Sequence, residues 1–215
     1  FGSRVLDSSE PKYMNSPDTP VYSKRHILYG LNLARKSKRP NIILCEGNLD
    51  IVTLHQAGFD NAVASMGTAL TLEQVRLLSK FTKELVLCYD NDNAGQKATE
   101  KALQLLNESG LSVKVLQLPR RRTESGELVK QDPDDFIKNH GPDAFERLLN
   151  GSENGIDFRM AQTAAQFDLT SDEGRVAYCG AVSELLSELS GSVEREVYTL
   201  RAAETARVDP AAMRL

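Results

Sequence analysis

Leu85-Val86-Leu87-Cys88-Tyr89-Asp90-Asn91-Asp92-Asn93-Ala94-Gly95 is the stretch on which the fold turns. Its apolar run is too short for an ordinary helix and reads as a buried strand, and it stops at two aspartates separated by one residue. A helix over roughly 96–107 follows, then a further strand signal, Val113-Lys114-Val115-Leu116. Upstream, Asn41-Ile42-Ile43-Leu44-Cys45 is a similar run that ends at Glu46-Gly47 and leads into a helix over about 48–57. Gly58 closes that helix, Ala62-Val63-Ala64 is a short strand, and Thr71 opens a helix carrying Val75, Leu77 and Leu78. Short apolar strands alternating with helices predict an α/β fold with a mainly parallel central sheet flanked by helices.

The flanks read differently. Pro11, Pro17 and Pro20 discourage helix in residues 1–23, an irregular or short-stranded lead-in, whereas 24–37 place Ile27, Leu28, Leu31 and Ala34 at helical spacing. Residues 119–130 form a polar, exposed loop containing Arg120-Arg121-Arg122. After Asp132-Pro133-Asp134 the strand signals stop. Residues 142–150, 155–168 and 171–207 read as helices, the last with Val182, Leu185, Leu186 and Leu189 on one face, so a small C-terminal helical subdomain is expected.

Composition narrows the class. Hydrophobic residues at 40% and charged residues at 26% are an ordinary balance for a soluble globular protein, and no apolar run approaches the ~20 residues that span a bilayer. Phe1-Gly2-Ser3-Arg4 resembles neither a signal peptide nor a natural start, which points to a piece of a longer protein. Residues 1–40 carry eight Lys or Arg against three acids, residues 41–142 eleven against fourteen, and residues 143–215 seven against thirteen. A basic lead-in beside an acidic middle suits a polyanion held near a cation site, although a solvated mixed-charge surface explains charge alone. Cys45, Cys88 and Cys179 form no Cys-x-x-Cys pair, so no zinc is expected and a reducing cytoplasm is the simplest compartment. His26, His55 and His140 are scattered without ligand spacing.

In a parallel sheet, ligands gather beyond the carboxyl ends of the strands. Glu46 follows the first strand, Asp90 and Asp92 follow the third, and Asp132 and Asp134 follow the loop after the fourth. Each has an ordinary alternative: Glu46 and Asp50 as acids near a helix N-terminus, Asp92 as an N-cap, Asp132 as a cap before Pro133. Crowded carboxylates repel, however, and a hard divalent ion with oxygen ligands removes that penalty. An open acidic rim suits magnesium, which keeps much of its water and adds substrate phosphates.

Glu46-Gly47 followed by Asp90-x-Asp92-x-x-Gly95 resembles the Toprim signature shared by DnaG-type primases, topoisomerases, some nucleases and recombination mediators. FGSRVL at 1–6, PKYMNSPDT at 11–19, LYGLNLARKS at 28–37, EGNLDIVTLHQAG at 46–58, VASMGTALT at 63–71, DNDNAG at 90–95 and DPDDFI at 132–137 are similar, in order, to the catalytic domain of bacterial DnaG-type primases. The resemblance spans about residues 1–150. Asn91 stands where that family commonly has Gly, and the 119–131 loop is longer and more basic than its pattern.

The resemblance implies a Toprim fold over 41–140, preceded at 1–40 by the end of a basic polymerase subdomain with its connecting helix and followed at 141–215 by the helical subdomain. It implies that Glu46, Asp90 and Asp92 are catalytic and hold metal together with Asp50, Asp132 and Asp134. Arg4, Lys12, Asn15, Ser16 and Lys24 would meet nucleotide phosphates. The implied cofactor is Mg2+, with Mn2+ able to substitute. The implied partners are a single-stranded DNA template, ribonucleoside triphosphates and a replicative helicase, the last through a C-terminal domain absent from this chain; no membrane is involved. The implied activity is primer synthesis by nucleotidyl transfer. Metal-dependent nuclease action and a non-catalytic DNA-binding scaffold are the alternatives.

Overall fold

The computed structural model describes residues 2–4, 13–65, 69–107, 109–123 and 126–213, with side chains from Met14 onward. Two compact units divide the chain, residues 1–153 and 154–215.

In the first unit, β1 (Gly2–Arg4) and β2 (Tyr13–Asn15) pair antiparallel as a separate small sheet. The short helix α1 (Leu31–Ala34) precedes β3 (Ile42–Cys45), α2 (Asn48–Gln56), β4 (Ala62–Ala64), α3 (Leu72–Leu78), β5 (Glu84–Cys88), α4 (Asn93–Leu106) and β6 (Ser112–Val115). A two-stranded antiparallel hairpin, β7 (Arg121–Arg122) with β8 (Leu128–Val129), leads to α5 (Pro133–His140) and α6 (Pro142–Asn150). The main sheet runs β4-β3-β5-β6 with every pair parallel, and the two-residue β9 (Glu153–Asn154) is its last strand.

The order of the strands dictates where the helices lie. The chain moves one way from β3 to β4, then returns past β3 to β5 and continues to β6. Right-handed crossovers therefore put α2 on one face and α3 and α4 on the other. Burial agrees. Ile43, Cys45, Val86 and Cys88 share a core with Ile51 and Leu54 of α2, Phe136 of α5, and Phe145 and Leu149 of α6. Ile42, Leu44, Leu85 and Leu87 alternate to the opposite face and are equally buried, as expected for strands covered on both sides. β3 and β5 are neighbours whose crossovers leave in opposite directions. The cleft between their carboxyl ends is thus the switch point at which α/β sheets bind ligands.

Three local expectations are corrected. Residues 24–37 are helical only over Leu31–Ala34, because Gly30 sits at φ +81° and Tyr29 bridges to Ala64. A Cβ on Gly30 would lie 2.8 Å from Ile51 Cγ2 and 2.9 Å from the Ala62 carbonyl, so close packing fixes the break. Residues 119–130 are not one irregular loop but contain the β7–β8 hairpin. The expected long helix over 171–207 is two, α8 (Asp172–Ser187) and α9 (Ser192–Ala206), interrupted near Gly191.

In the second unit, α7 (Gly155–Ala164), α8, α9 and a 3-10 turn at Pro210–Met213 form a helical cluster. Val182, Leu185, Leu186 and Leu189 meet Tyr198, Ala202, Ala203 and Ala206. The small alanines on α9 leave room for the larger side chains of α8. Arg159, buried on α7, is neutralised by Glu188 at 2.8 Å. Among the described residues, no helix is long and apolar enough to cross a membrane.

Candidate metal centre

Glu46 and Asp90 meet at the switch point. Cys45 and Cys88 are register partners in β3 and β5, so Glu46 leaves the sheet level with Tyr89, one residue before Asp90. The Asp90 backbone N–H is near enough to the Glu46 carboxylate to favour its charged form. Burial pushes the Glu46 carboxyl up, the Asp90 and Asp92 charges add to the rise, and that N–H and Lys130 oppose it.

Asp92 caps α4. Its Oδ1 accepts from the backbone N–H of Ala94 (3.0 Å) and Gly95 (2.8 Å), while its Oδ2 lies 2.9 Å from Lys130 Nζ. The Gly95 N–H, and then Lys130, hold this carboxyl below its ordinary range. Lys130 Nζ is also 2.8 Å from Asp90 Oδ2, so one ammonium bridges both aspartates. Asn91, between them, donates from Nδ2 to the Leu118 carbonyl at 3.2 Å and pins the turn to the chain beyond β6. The cap reading of Asp92 and its place beside Glu46 are therefore both true.

Asp50, buried in the first turn of α2, accepts the Asp134 backbone N–H at 3.2 Å. Burial, then the Asp132 charge, raise its carboxyl from 3.8 to about 7, against the opposing pull of the Asp134 and Gly47 N–H groups. Asp132 caps α5 by accepting from Asp135 N–H at 2.7 Å, with Pro133 at the first helical position. Its carboxyl is also raised, first by burial and then by the neighbouring acids Asp135, Asp134 and Asp90. Asp134 differs: Thr53 Oγ1 donates to it, and Lys138 Nζ is 2.5 Å away. Those partners outweigh its burial and lower it. Asp132, Asp134 and Asp135 offer oxygens that all lie within 4.8 Å of one another.

Glu46, Asp50, Asp90, Asp92, Asp132 and Asp134 are thereby linked through mutual fields and hydrogen bonds, from three stretches of chain. Some are held ionised by Lys130 or Lys138; others are driven towards neutrality by burial and repulsion. Protonation relieves that penalty, and so does a cation shared among them. The donors are all carboxylate oxygens, a hard set suited to a divalent cation, and the Asp90–Asp92 pair already closes around one positive charge.

The basic residues stand apart from this description. Lys12 lies outside the described residues, and Arg4 is described only as backbone paired with Tyr13. Asn15 is in β2 and Ser16 follows it. Lys24 is tied to the start of α3: its carbonyl accepts from Gln74 Nε2 at 3.0 Å, and its own N–H donates to Asp18. Sequence reasoning missed Lys130, Thr53 and Asp135. A lysine in a basic loop carries no signal of its own, whereas Asp135 could have been found in the Asp132-Pro133-Asp134-Asp135 run.

A parallel sheet with an acid beyond β3 and an Asp-x-Asp turn beyond β5 is the arrangement of the Toprim class, whose members bind divalent metals through acidic residues. A family model described as Toprim-like matches residues 43–137. A second, the N-terminal domain of the DNA primase catalytic core, matches residues 1–35, and a third, the DnaB-helicase binding domain of primase, matches residues 156–211. The DNA primase of Clostridium acetobutylicum is 40% identical over 199 residues, which cover 92% of this chain and 32% of that protein. A solved DnaG catalytic core superposes with a TM-score of 0.79 at 30% identity, over 99% of this chain and 67% of that one. A DnaG primase catalytic domain bound to single-stranded DNA gives 0.79 at 31% identity, over 98% and 66%. The chain belongs to the DnaG-type DNA primase family.

It spans about a third of the length of the curated relatives it matches. Helicase binding is expected from the sequence in a C-terminal domain outside this chain; residues 156–211 within it match the family model for the helicase-binding domain of primase. Helices leave little trace of their partner in composition, which is why that stretch read as general helical character.

Proposed function

We propose that this chain is part of a primase catalytic core that makes short RNA primers on single-stranded DNA by metal-dependent transfer from ribonucleoside triphosphates. The meeting of Glu46 with the Asp90–Asp92 turn at the β3/β5 switch point carries the reading. Family membership and the likeness to a catalytic domain bound to single-stranded DNA support it.

Glu46, Asp90 and Asp92 would hold Mg2+, or Mn2+ in its place, with Asp50, Asp132 and Asp134 completing the acidic wall. Such an ion, when bound, makes the attacking hydroxyl more acidic and neutralises charge on the triphosphate. The 3′-hydroxyl oxygen bonds to the α-phosphorus, the bond to pyrophosphate breaks, and the hydroxyl proton leaves. Glu46, made more basic by burial and the Asp90 charge, is the group proposed to take that proton through water. Arg4, Lys12, Asn15, Ser16 and Lys24 are proposed to face the nucleotide phosphates. Template contact would be largely to the backbone and therefore weakened by salt. Residues 156–211 are proposed to engage the replicative helicase in the bacterial cytoplasm, on the strength of their family match.

The test is incorporation of labelled ribonucleotides on single-stranded DNA by the full-length protein, run beside cleavage of labelled DNA. Metal-dependent primers that vanish in Asp90→Asn support the proposal. Cleavage without synthesis would establish a nuclease. Synthesis undiminished in Asp90→Asn would remove the acids from the chemistry.

A further inference from the structure

Lys130 follows β8 and reaches over the Asp90–Asp92 turn, 2.8 Å from one carboxylate and 2.9 Å from the other. The other end of the same hairpin rests on the same turn, with the Arg120 guanidinium donating to the Asn91 carbonyl at 3.4 Å. Gln131 Nε2 donates to the Pro119 carbonyl at 2.8 Å and closes the hairpin at its base. The ammonium is thus delivered by a segment anchored on both sides. Its flexible four-carbon stem is about half exposed, so it can leave without moving the backbone.

An ammonium between two carboxylates supplies one positive charge where a divalent ion would supply two. We propose that Lys130 is a tethered surrogate cation: it holds Asp90 and Asp92 together while no ion is bound, and a divalent ion loads by displacing it. This rests on the reading of Asp90 and Asp92 as metal ligands. It makes loading a competition, in which a singly charged ion offers little over the resident ammonium. A doubly charged ion gains roughly twice the Coulomb energy at each oxygen.

The test is Mn2+ binding to the 215-residue chain, read by electron paramagnetic resonance of the unbound ion. Lys130→Gln is expected to lower the Kd for Mn2+ by roughly three- to tenfold, the scale of losing two solvent-exposed ion pairs. Lys130→Arg, which keeps the charge and reach, is expected to stay near wild type. Arg120→Gln removes a hairpin charge that touches no carboxylate of the pair and should shift Kd by less than about twofold. In chelator, Lys130→Gln should melt below wild type, and Mn2+ should then raise its Tm by more than it raises that of wild type. Unchanged or weaker Mn2+ binding by Lys130→Gln, or an equal effect of Arg120→Gln, overturns the role of Lys130 and leaves the metal site standing. Absence of Mn2+ binding in wild type and all variants overturns the metal site itself, and this inference with it.

Discussion

Gly95 lies directly beneath Asp90: a Cβ built on it would be 2.0 Å from the Asp90 carbonyl oxygen and 2.8 Å from the carbonyl carbon. The first turn of α4 and the end of β5 are therefore in backbone contact, and that contact sets where Asp90 points. Gly95→Ala should cost about 1–3 kcal/mol through overpacking and should weaken Mn2+ binding, since the turn must shift to admit the methyl group. Urea denaturation and metal titration of the same variant check both halves. Wild-type stability with wild-type binding would show that the turn is not held from below.

Asp92 performs two tasks with different oxygens, and substitutions can separate them. Asp92→Asn keeps an oxygen for the Ala94 and Gly95 N–H groups but loses the charge that faces Lys130. It should unfold within about 0.5 kcal/mol of wild type yet bind Mn2+ poorly. Asp92→Ala loses both and should be less stable by about 1 kcal/mol. Equal stabilities for the two variants would deny the cap.

The Asp50 carboxyl, raised from 3.8 to about 7, gives the metal-free protein a pH dependence of defined sign. A folded value above the unfolded one means that the folded state favours the proton. The associated stability is present below about pH 4 and is lost as pH rises through about 7. In chelator, Asp50→Asn should therefore flatten the loss of stability between pH 5 and pH 8, with a gain at the upper end of at most a few kcal/mol. Denaturation midpoints at the two pH values decide it. A steeper loss in the variant would mean that the carboxylate is stabilised as an anion.

Phe145 of α6 is fully buried, with its ring centroid 4.8 Å from Phe59 and 6.2 Å from Phe136 of α5. Phe145→Ala should cost about 3–5 kcal/mol. Because α5 presents Asp132 and Asp134, the lost packing should also loosen that side of the acidic wall. Hydrogen exchange of the α5 amides in the variant, compared with wild type, reports whether it does.

Much of the sheet was legible because burial on both faces demands consecutive apolar residues. Ile42–Cys45 and Glu84–Cys88 carry that demand in composition alone. Glu46, Asp90 and Asp92 could be nominated for the same reason, as the first polar residues after runs that cannot tolerate charge. The 24–37 segment misled because periodicity sees Leu28 and Leu31 but not the Ala62 carbonyl that presses on Gly30 and breaks the helix there. Lys130 was illegible because nothing in a run of polar loop residues says which of them will fold back onto a turn 38 to 40 positions earlier.

By itself, then, the order of residues determined the alternation of strands and helices, the rim on which the acids fall and the family they belong to, all of which follow from local pattern. Only the tertiary structure decided that Asp92 and Asp132 cap helices and also face the shared cleft. It alone decided which acids are held ionised and which are pushed towards neutrality, and that a lysine from the far hairpin closes on two of them. Those outcomes depend on burial and on distances of a few ångströms between groups remote in the chain, which pairwise electrostatics reads and sequence spacing does not.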